Sequence, residues 1–312
     1  MMVKLKGRDF LTLQDFSPQE LISILDYARQ LKVRFYAGER IIPLLRGKTL
    51  AMIFQKPSTR TRISFEVAMY QLGGYALYLN WNDLQLRRGE TIEDTARVLS
   101  RYVDGIMARV YDHEDLISLA NAASIPVING LSDMYHPCQI ISDMLTIWEK
   151  KGKLSGVNVA YLGDGANNVC HSLITGCSKL GLNIKVACPK GYEPKREVLE
   201  NAYKNAEISG STIEVIHSPT EAVKDADVIY TDVWISMGQE AEAEKRLRVF
   251  PPFQVNSSLL KHAPQDVIVM HCLPAHRGQE ITDEVIDGPK SIVWDQAENR
   301  LHVQKALLAL LL

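Results

Sequence analysis

Apolar positions along this chain follow two alternating rhythms. Short apolar runs of strand length (Thr49 to Phe54, Tyr75 to Leu79, Gly105 to Ala108, Ile125 to Ile128) alternate with stretches repeating every three or four residues, the spacing of a helix face. Ser17-Pro18 opens the first helix, with Leu21, Ile24, Leu25, Ala28 and Leu31 on its inner face. The run after Thr49–Phe54 predicts a helix bearing Ile63, Val67 and Tyr70 on one face and stopping at Gly73-Gly74. Thr91-Ile-Glu-Asp94 reads as a capping box ahead of a helix carrying Ile92, Ala96, Leu99 and Val103. Pro137 suits a first helical position, with His136 as the cap and Ile140, Ile141, Met144, Leu145 and Trp148 as the stripe.

The polar, glycine-containing stretch from Lys150 to Gly156 predicts a domain boundary, and a second alternating set begins beyond it. Strand candidates there are Val157 to Leu162, Ile184 to Ala187, Ile213 to Ile216, Val228 to Tyr230, Val267 to Met270 and Ser291 to Val293. A helix from about Val169 to Leu180 stops at Gly181. Strands alternating with helices imply parallel sheets. The expected fold class is therefore α/β, with two domains, each a parallel sheet flanked by helices, and a cleft between them.

Composition narrows the picture further. The 312 residues fit two ordinary domains, and 46% hydrophobic with 23% charged residues fits a globular chain in water. A formal charge of -2 lacks the basic excess that non-specific nucleic-acid binding requires. The start of the chain has charge without an apolar core, so no secretory signal is expected, and Ala306 to Leu312 is too short to span a bilayer. Five cysteines without a Cys-x-x-Cys pair predict reduced thiols and a cytoplasmic location.

Candidate chemistry gathers at the strand ends, where parallel sheets bind ligands. Ser58-Thr-Arg-Thr-Arg62 sits where a strand turns into a helix. Its hydroxyls, guanidiniums and first-turn N–H groups suit a phosphate; the plainer reading is a capped helix with a solvated basic turn. Gln85 with Arg87, Arg109, and His136 with Gln139 fall at corresponding ends in the first half. Asn167 and Asn168, Asp232 with Ser236, and His271 with Cys272 do so in the second. Singly, each has a plain role as surface arginine, cap, turn residue or core histidine; together they outline a cleft with one basic wall.

Two cofactor readings fail on the residues. Gly163-Asp-Gly-Ala-Asn-Asn168 resembles a dinucleotide turn, but Asn168 replaces the third glycine and the next strand ends in Cys188-Pro-Lys without an acid for a ribose. His271 and Cys272 are adjacent, and neighbours on a strand face opposite sides, which argues against a shared metal. No cofactor and no metal are expected.

Ser58-Thr-Arg-Thr-Arg62, Arg109, His136-Pro-Cys-Gln139, Asp232-Val-Trp-Ile-Ser-Met-Gly238 and His271-Cys-Leu-Pro274 resemble the transcarbamoylase family in order and spacing over essentially the whole chain. The Ser236-Met237-Gly238 and His271-Cys-Leu-Pro segments are similar to its ornithine-using branch. The resemblance implies carbamoyl transfer from carbamoyl phosphate to L-ornithine, giving citrulline as in arginine biosynthesis. It implies a first domain of residues 1–149, completed by a C-terminal helix from about 297 to 312, and a second domain of 150–296. Carried over residue by residue, it assigns carbamoyl phosphate to Ser58, Thr59, Arg60, Thr61, Gln85, Arg109, His136, Pro137, Cys138, Gln139, Cys272, Leu273 and Arg300. Arg109, His136 and Cys272 are its catalytic candidates, and Asn168 (rather than Asn167), Asp232, Ser236 and Met237 its ornithine contacts. It further implies a homotrimer, or a multiple of trimers, in which Gln85 reaches a neighbour's site. The charged run from Gly238 to Arg248 reads either as a solvated helix or as a lid over ornithine.

Overall fold

Two parallel sheets carry the chain in a computed structural model that describes residues 5–236 and 240–312. The chain divides into one unit reaching to Leu145 and including Glu298–Leu312, and a second unit of Thr146–Ala297.

The first unit holds β1 (Thr49–Phe54), β2 (Tyr75–Asn80), β3 (Gly105–Arg109) and β4 (Val127–Leu131), in the order β2-β1-β3-β4. Strands β1, β3 and β4 are almost wholly buried, which is why they read as unbroken apolar runs rather than alternating ones. Pro126 has no N–H for a ladder, so β4 begins at Val127 and not at Ile125 as the sequence suggested. Helices α1 (Pro18–Tyr36), α2 (Thr59–Gln71), α3 (Ile92–Leu99), α4 (His113–Ala122) and α5 (Pro137–Lys151) follow in chain order. Ser17 and Glu20 form a complete capping box on α1, whose five expected apolar residues are all buried.

Two local expectations fail here. In α2 the buried face is Thr61, Phe65, Ala68 and Met69, while Ile63 and Tyr70 stand exposed. Both stripes have helical spacing, and packing selects the one whose small Ala68 lies between two bulky residues. On α3, Thr91 caps the Asp94 N–H at 3.1 Å, but the Asp94 carboxylate turns to Arg97 at 2.8 Å, so the box is only half formed.

The second unit holds β5 (Asn158–Leu162), β6 (Asn183–Ala187), β7 (Ile213–Ile216), β8 (Val228–Thr231) and β9 (Ile268–His271), in the order β7-β6-β5-β8-β9. Ser291 makes only an isolated bridge to Val269, and Val293 already begins the last helix, so the expected strand at 291–293 does not form. The helices are α6 (Asn168–Leu180), α7 (Arg196–Ser209), α8 (Pro219–Val223), α9 (Ala243–Val249), α10 (Ser257–Leu260), α11 (Asp283–Ile286) and α12 (Val293–Leu311), the last crossing into the first unit. Among the described residues, no helix is long and apolar enough to cross a membrane.

In each sheet the chain lays strands to one side of its first strand and then returns to the other. The reversal falls between β1 and β3 in the first unit, and between β5 and β8 in the second. Loops leaving neighbouring strands part company at such a point and open a crevice beyond the carboxyl ends. Ser58 and Arg109 stand at the first reversal, and Asn167 and Asp232 at the second.

Candidate active site

In the first unit the loop after β1 delivers Ser58 as the cap of α2, its Oγ accepting from the Thr61 N–H at 3.3 Å. The first turn of this 13-residue helix thereby points its N–H groups at the strand ends, where the helix dipole favours an anion. Thr59 is exposed, Arg60 half-buried and Thr61 buried. Lys56, which the sequence reading passed over, is buried beside them with its Nζ 4.1 Å from the centre of the Tyr111 ring.

Arg109 ends β3 and is buried. The register against β4 shifts there, Ala108 opposing Asn129 and Arg109 opposing Leu131, so Gly130 is the extra residue of a bulge. A Cβ on Gly130 would collide with Met107 Sδ and stand 3.2 Å from the Ala108 carbonyl oxygen. The glycine allows the bulge, and the bulge re-aims the strand end that bears Arg109.

His136 immediately precedes α5 and is buried. Burial, and then the charges of Arg300, Arg109 and Arg60, push its pKa well below that of ordinary histidine, so the imidazole is neutral. Arg300 on α12 donates from Nη1 to Gln139 Oε1 at 2.6 Å and from Nη2 to Thr61 Oγ1 at 3.2 Å. Two helix starts, one strand end and one distant helix therefore meet at three guanidiniums and one neutral imidazole. Pro137 is the first residue of α5. The Cys138 thiol turns inward to the Asn129 carbonyl at 3.3 Å, and burial pushes its pKa up to about 12, so its side chain serves the core. Gln85 is exposed at the start of a short 3-10 turn after β2.

The second unit builds its polar cluster on the loops after β5, β8 and β9. Asn167 caps α6, its Oδ1 accepting from the Cys170 N–H at 2.7 Å, while its Nδ2 donates to the Tyr161 hydroxyl at 2.9 Å and to Asp232 Oδ2 at 3.3 Å. With Asn167 so engaged, Asn168 follows as the first helical residue and is half-buried. Asp232 is buried, and burial raises its pKa against the opposing pull of His271, the Cys272 thiol and the Val233 N–H. Cys272 donates from Sγ to Asp232 Oδ1 at 3.0 Å. Ser236 is half-buried, and Met237 lies outside the described residues.

The side chains of Asp232, His271 and Cys272 do converge, with donor atoms within 4.8 Å of one another. Alternation failed as an argument here because β9 ends at His271 and Leu273 takes a left-handed conformation, φ 59°. Both ring nitrogens of His271 are nevertheless committed to protein partners. Nδ1 accepts from the Leu273 N–H at 2.8 Å and Nε2 faces Glu280 Oε1 at 3.0 Å, which places the proton on Nε2. His271 therefore holds the strained Leu273 backbone in place, and buried Glu280 holds His271.

Several of these supporting residues escaped the sequence reading. Asp164 is fully buried in the turn after β5 and pairs with Arg246 of α9 at 2.6 Å. The same Arg246 Nη1 donates to the Trp234 carbonyl at 2.9 Å, two residues before Ser236. Residues 238 and 239 of the charged run lie outside the described residues; in the part that is described, Arg246 is buried against Tyr192 and Phe250. Glu280 carried no local signal, whereas Asp143, one helical turn beyond Gln139, could have been found from helix spacing.

Comparison with known proteins finds likeness in both halves of the chain. The family description “Aspartate/ornithine carbamoyltransferase, carbamoyl-P binding domain” matches residues 8–149, and “Aspartate/ornithine carbamoyltransferase, Asp/Orn binding domain” matches 155–311. Ornithine carbamoyltransferases from Pyrococcus abyssi and Pyrococcus horikoshii are 66% and 65% identical, over 100% of this chain and 98% of theirs. The solved structure of the Pyrococcus furiosus ornithine carbamoyltransferase superposes with a TM-score of 0.96 at 64% identity, covering 99% of this chain and 98% of that one. The Giardia lamblia ornithine transcarbamoylase still reaches 0.88 at 38% identity, over 97% of both chains. With an arginine-ringed cradle in one unit, an asparagine–aspartate–cysteine cluster in the other, and likeness along its whole length, the chain belongs to the aspartate/ornithine carbamoyltransferase family.

Proposed function

We propose that this chain is an ornithine carbamoyltransferase, moving the carbamoyl group of carbamoyl phosphate to the side-chain amine of L-ornithine to give L-citrulline and phosphate. The observation that carries the reading is the pairing, in one chain, of a cationic cradle at the first sheet's reversal with an acidic cluster at the second's. Full-length relatives named for ornithine support the choice of acceptor.

The first unit takes carbamoyl phosphate. Ser58, Thr59, Arg60 and Thr61 bind the phosphate together with the N–H groups of α2 and stabilise the leaving dianion. Arg109, Arg300, Thr61 and the neutral His136 donate to the carbonyl oxygen, where charge develops in the tetrahedral intermediate; fixed donors in a dry site are effective there. A neutral imidazole can donate without carrying a charge that would compete with the arginines. Gln139 accepts from the carbamoyl NH₂.

The second unit takes ornithine. Asp232 pairs with the α-ammonium, with Asn168, Ser236 and Met237 at the amino-acid end. Cys272 and the Leu273 backbone orient the side-chain amine. That amine, with a pKa of about 10.4, costs roughly 4.6 kcal/mol to hold neutral at pH 7; desolvation lowers the cost by disfavouring the ammonium. The amine nitrogen bonds to the carbamoyl carbon, the carbon–oxygen bond to phosphate breaks, and the amine's proton leaves to water or phosphate.

We further place the chain in a homotrimer, where the exposed Gln85 reaches a neighbouring copy's site, and in the cytoplasm, where its five cysteines, none of them in a disulfide, stay reduced. Light scattering tests the trimer, and a mass near that of one 35.1 kDa chain excludes it. The activity is tested by colorimetric assay of ureido product with ornithine, putrescine, N-acetylornithine or aspartate as acceptor. Preference for ornithine by orders of magnitude is expected. Preference for another acceptor overturns the second unit's assignment alone, and no product with any acceptor overturns the activity.

A further inference from the structure

We propose that Asp143 is a positioning residue that makes the first unit selective for an acyl phosphate bearing an N–H donor, by locking the amide of Gln139 in one orientation. The inference rests on the reading above that Gln139 meets the carbamoyl NH₂.

An amide side chain offers an acceptor and a donor of nearly the same shape, and its neighbours decide which points where. Gln139 lies between two partners with opposite requirements. The Arg300 guanidinium can only donate, and its Nη1 stands 2.6 Å from Gln139 Oε1. An ionised Asp143 can only accept, and its Oδ1 receives Gln139 Nε2 at 2.9 Å. Only one orientation satisfies both; turning the amide over sets N–H against guanidinium and oxygen against carboxylate. Gln139, Asp143 and Arg300 are 2%, 0% and 2% exposed, so water cannot compensate for a wrong orientation.

The helix accounts for the placement. Gln139 and Asp143 are four residues apart on α5, one above the other on a single face. A buried carboxylate is costly to place, and one oxygen of this one holds the Gln139 amide. Arg300 is steadied in turn. In the orientation that suits its neighbours, the Gln304 oxygen accepts from Arg300 Nε at 3.1 Å and Nη2 at 3.0 Å, while Thr61 accepts at 3.2 Å.

The locked amide presents its acceptor oxygen beside the donors Arg60, Arg109 and Arg300 and the hydroxyls of Ser58 and Thr61. Phosphate oxygens and a carbonyl oxygen need donors, and only an NH₂ group needs the acceptor. Acetyl phosphate has nearly the same shape, with a methyl in place of NH₂. It keeps every other contact and leaves the Gln139 oxygen facing carbon. Sites built to hydrogen-bond a group reject analogues that lack it.

The test compares KM for carbamoyl phosphate with the competitive inhibition constant of acetyl phosphate, in the full-length protein and in Asp143→Ala, Asp143→Asn and Gln139→Ala. Loss of one neutral hydrogen bond corresponds to roughly two- to tenfold, with the upper end expected at a buried site. Asp143→Ala is expected to raise KM for carbamoyl phosphate about tenfold while shifting the acetyl phosphate constant less than twofold. Asp143→Asn, the milder variant should alanine fail to fold, can donate as well as accept and is expected to lower the selectivity by a smaller factor. Equal weakening of both ligands in the Asp143 variants, or no change in either, overturns the proposal. Gln139→Ala separates the two layers. Collapse of selectivity there with none in the Asp143 variants removes Asp143 alone, and unchanged selectivity in Gln139→Ala removes the reading of Gln139 itself.

Discussion

Replacing Arg246 by methionine isolates what the buried pair under the second unit's polar cluster contributes. Arg246 keeps 5% of its side chain exposed and Asp164 none. Removing one member of such a pair leaves a bare buried charge and costs about 3–5 kcal/mol. Glu242, the second carboxylate on Arg246, is half exposed and adds about 0–1 kcal/mol. Methionine loses the guanidinium's contact with the Tyr192 and Phe250 rings, 5.0 and 5.7 Å from their centres, and its sulfur beside the same rings offsets much of that loss. The hydrogen bond from Arg246 to the Trp234 carbonyl is lost as well and adds about 1 kcal/mol. The sum is roughly 5 kcal/mol, and at about 2–4 °C per kcal/mol for a unit of this size the second unit's melting transition drops by roughly 10–20 °C. Calorimetry reads that transition. Asp164→Leu added to Arg246→Met removes the stranded carboxylate and is expected to recover most of the loss, because a buried pair is worth little against an apolar replacement. The loss also shrinks as pH falls through the Asp164 titration, since burial already raises that carboxyl's pKa and protonation neutralises it. A single variant melting within about 3 °C of the parent would refute the reasoning.

Two further outcomes follow from geometry and protonation. Gly130→Ala places a Cβ against Met107 and the Ala108 carbonyl; it is expected to cost about 1–3 kcal/mol and to raise KM for carbamoyl phosphate, because the bulge that aims Arg109 must shift. An unchanged KM with lowered stability would separate the bulge from Arg109. His302, buried on α12, has its pKa lowered to about 4 by burial against the opposing hydrogen bond of Glu298. The unfolded chain takes up this proton near pH 6.5 and the folded chain does not, so stability is full above about 6.5 and falls toward pH 4, by on the order of 3 kcal/mol. His136 and His113, also lowered by burial, act in the same direction. His302→Gln is expected to flatten the stability slope in that window by about one proton, as read by denaturant titration; an unaltered slope contradicts the assignment.

The sheet strands were legible because buried parallel strands and capped helices leave one-dimensional signals. Thr49–Phe54 and Ile213–Ile216 match their runs residue for residue, and Ser17, Ser58 and Gly181 mark helix ends as read. The α2 face was not legible, since Ile63, Val67 and Tyr70 and the true stripe have the same period and only packing chooses between them. Ser291–Val293 is apolar enough for a strand, but its backbone makes only a bridge before turning helical. The candidate residues stand at the strand ends because the sheets reverse there. What holds them was hidden. Arg246 lies 82 residues from Asp164, Arg300 lies 161 from Gln139, and neither separation leaves a pattern in sequence. The Asp232–His271–Cys272 convergence was missed for a related reason, because strand alternation ceases at the residue where β9 ends.

Steady-state kinetics on Thr61→Ala and Asp232→Asn, with each substrate varied in turn, tests most directly the claim that each unit holds one substrate. Thr61→Ala is expected to raise KM for carbamoyl phosphate about tenfold and leave KM for ornithine nearly unchanged. Asp232→Asn removes a charged partner and is expected to raise KM for ornithine roughly 10- to 150-fold while carbamoyl phosphate is held as before. Crossed effects, with Asp232→Asn weakening carbamoyl phosphate as much as ornithine or Thr61→Ala acting on ornithine alone, would contradict the account.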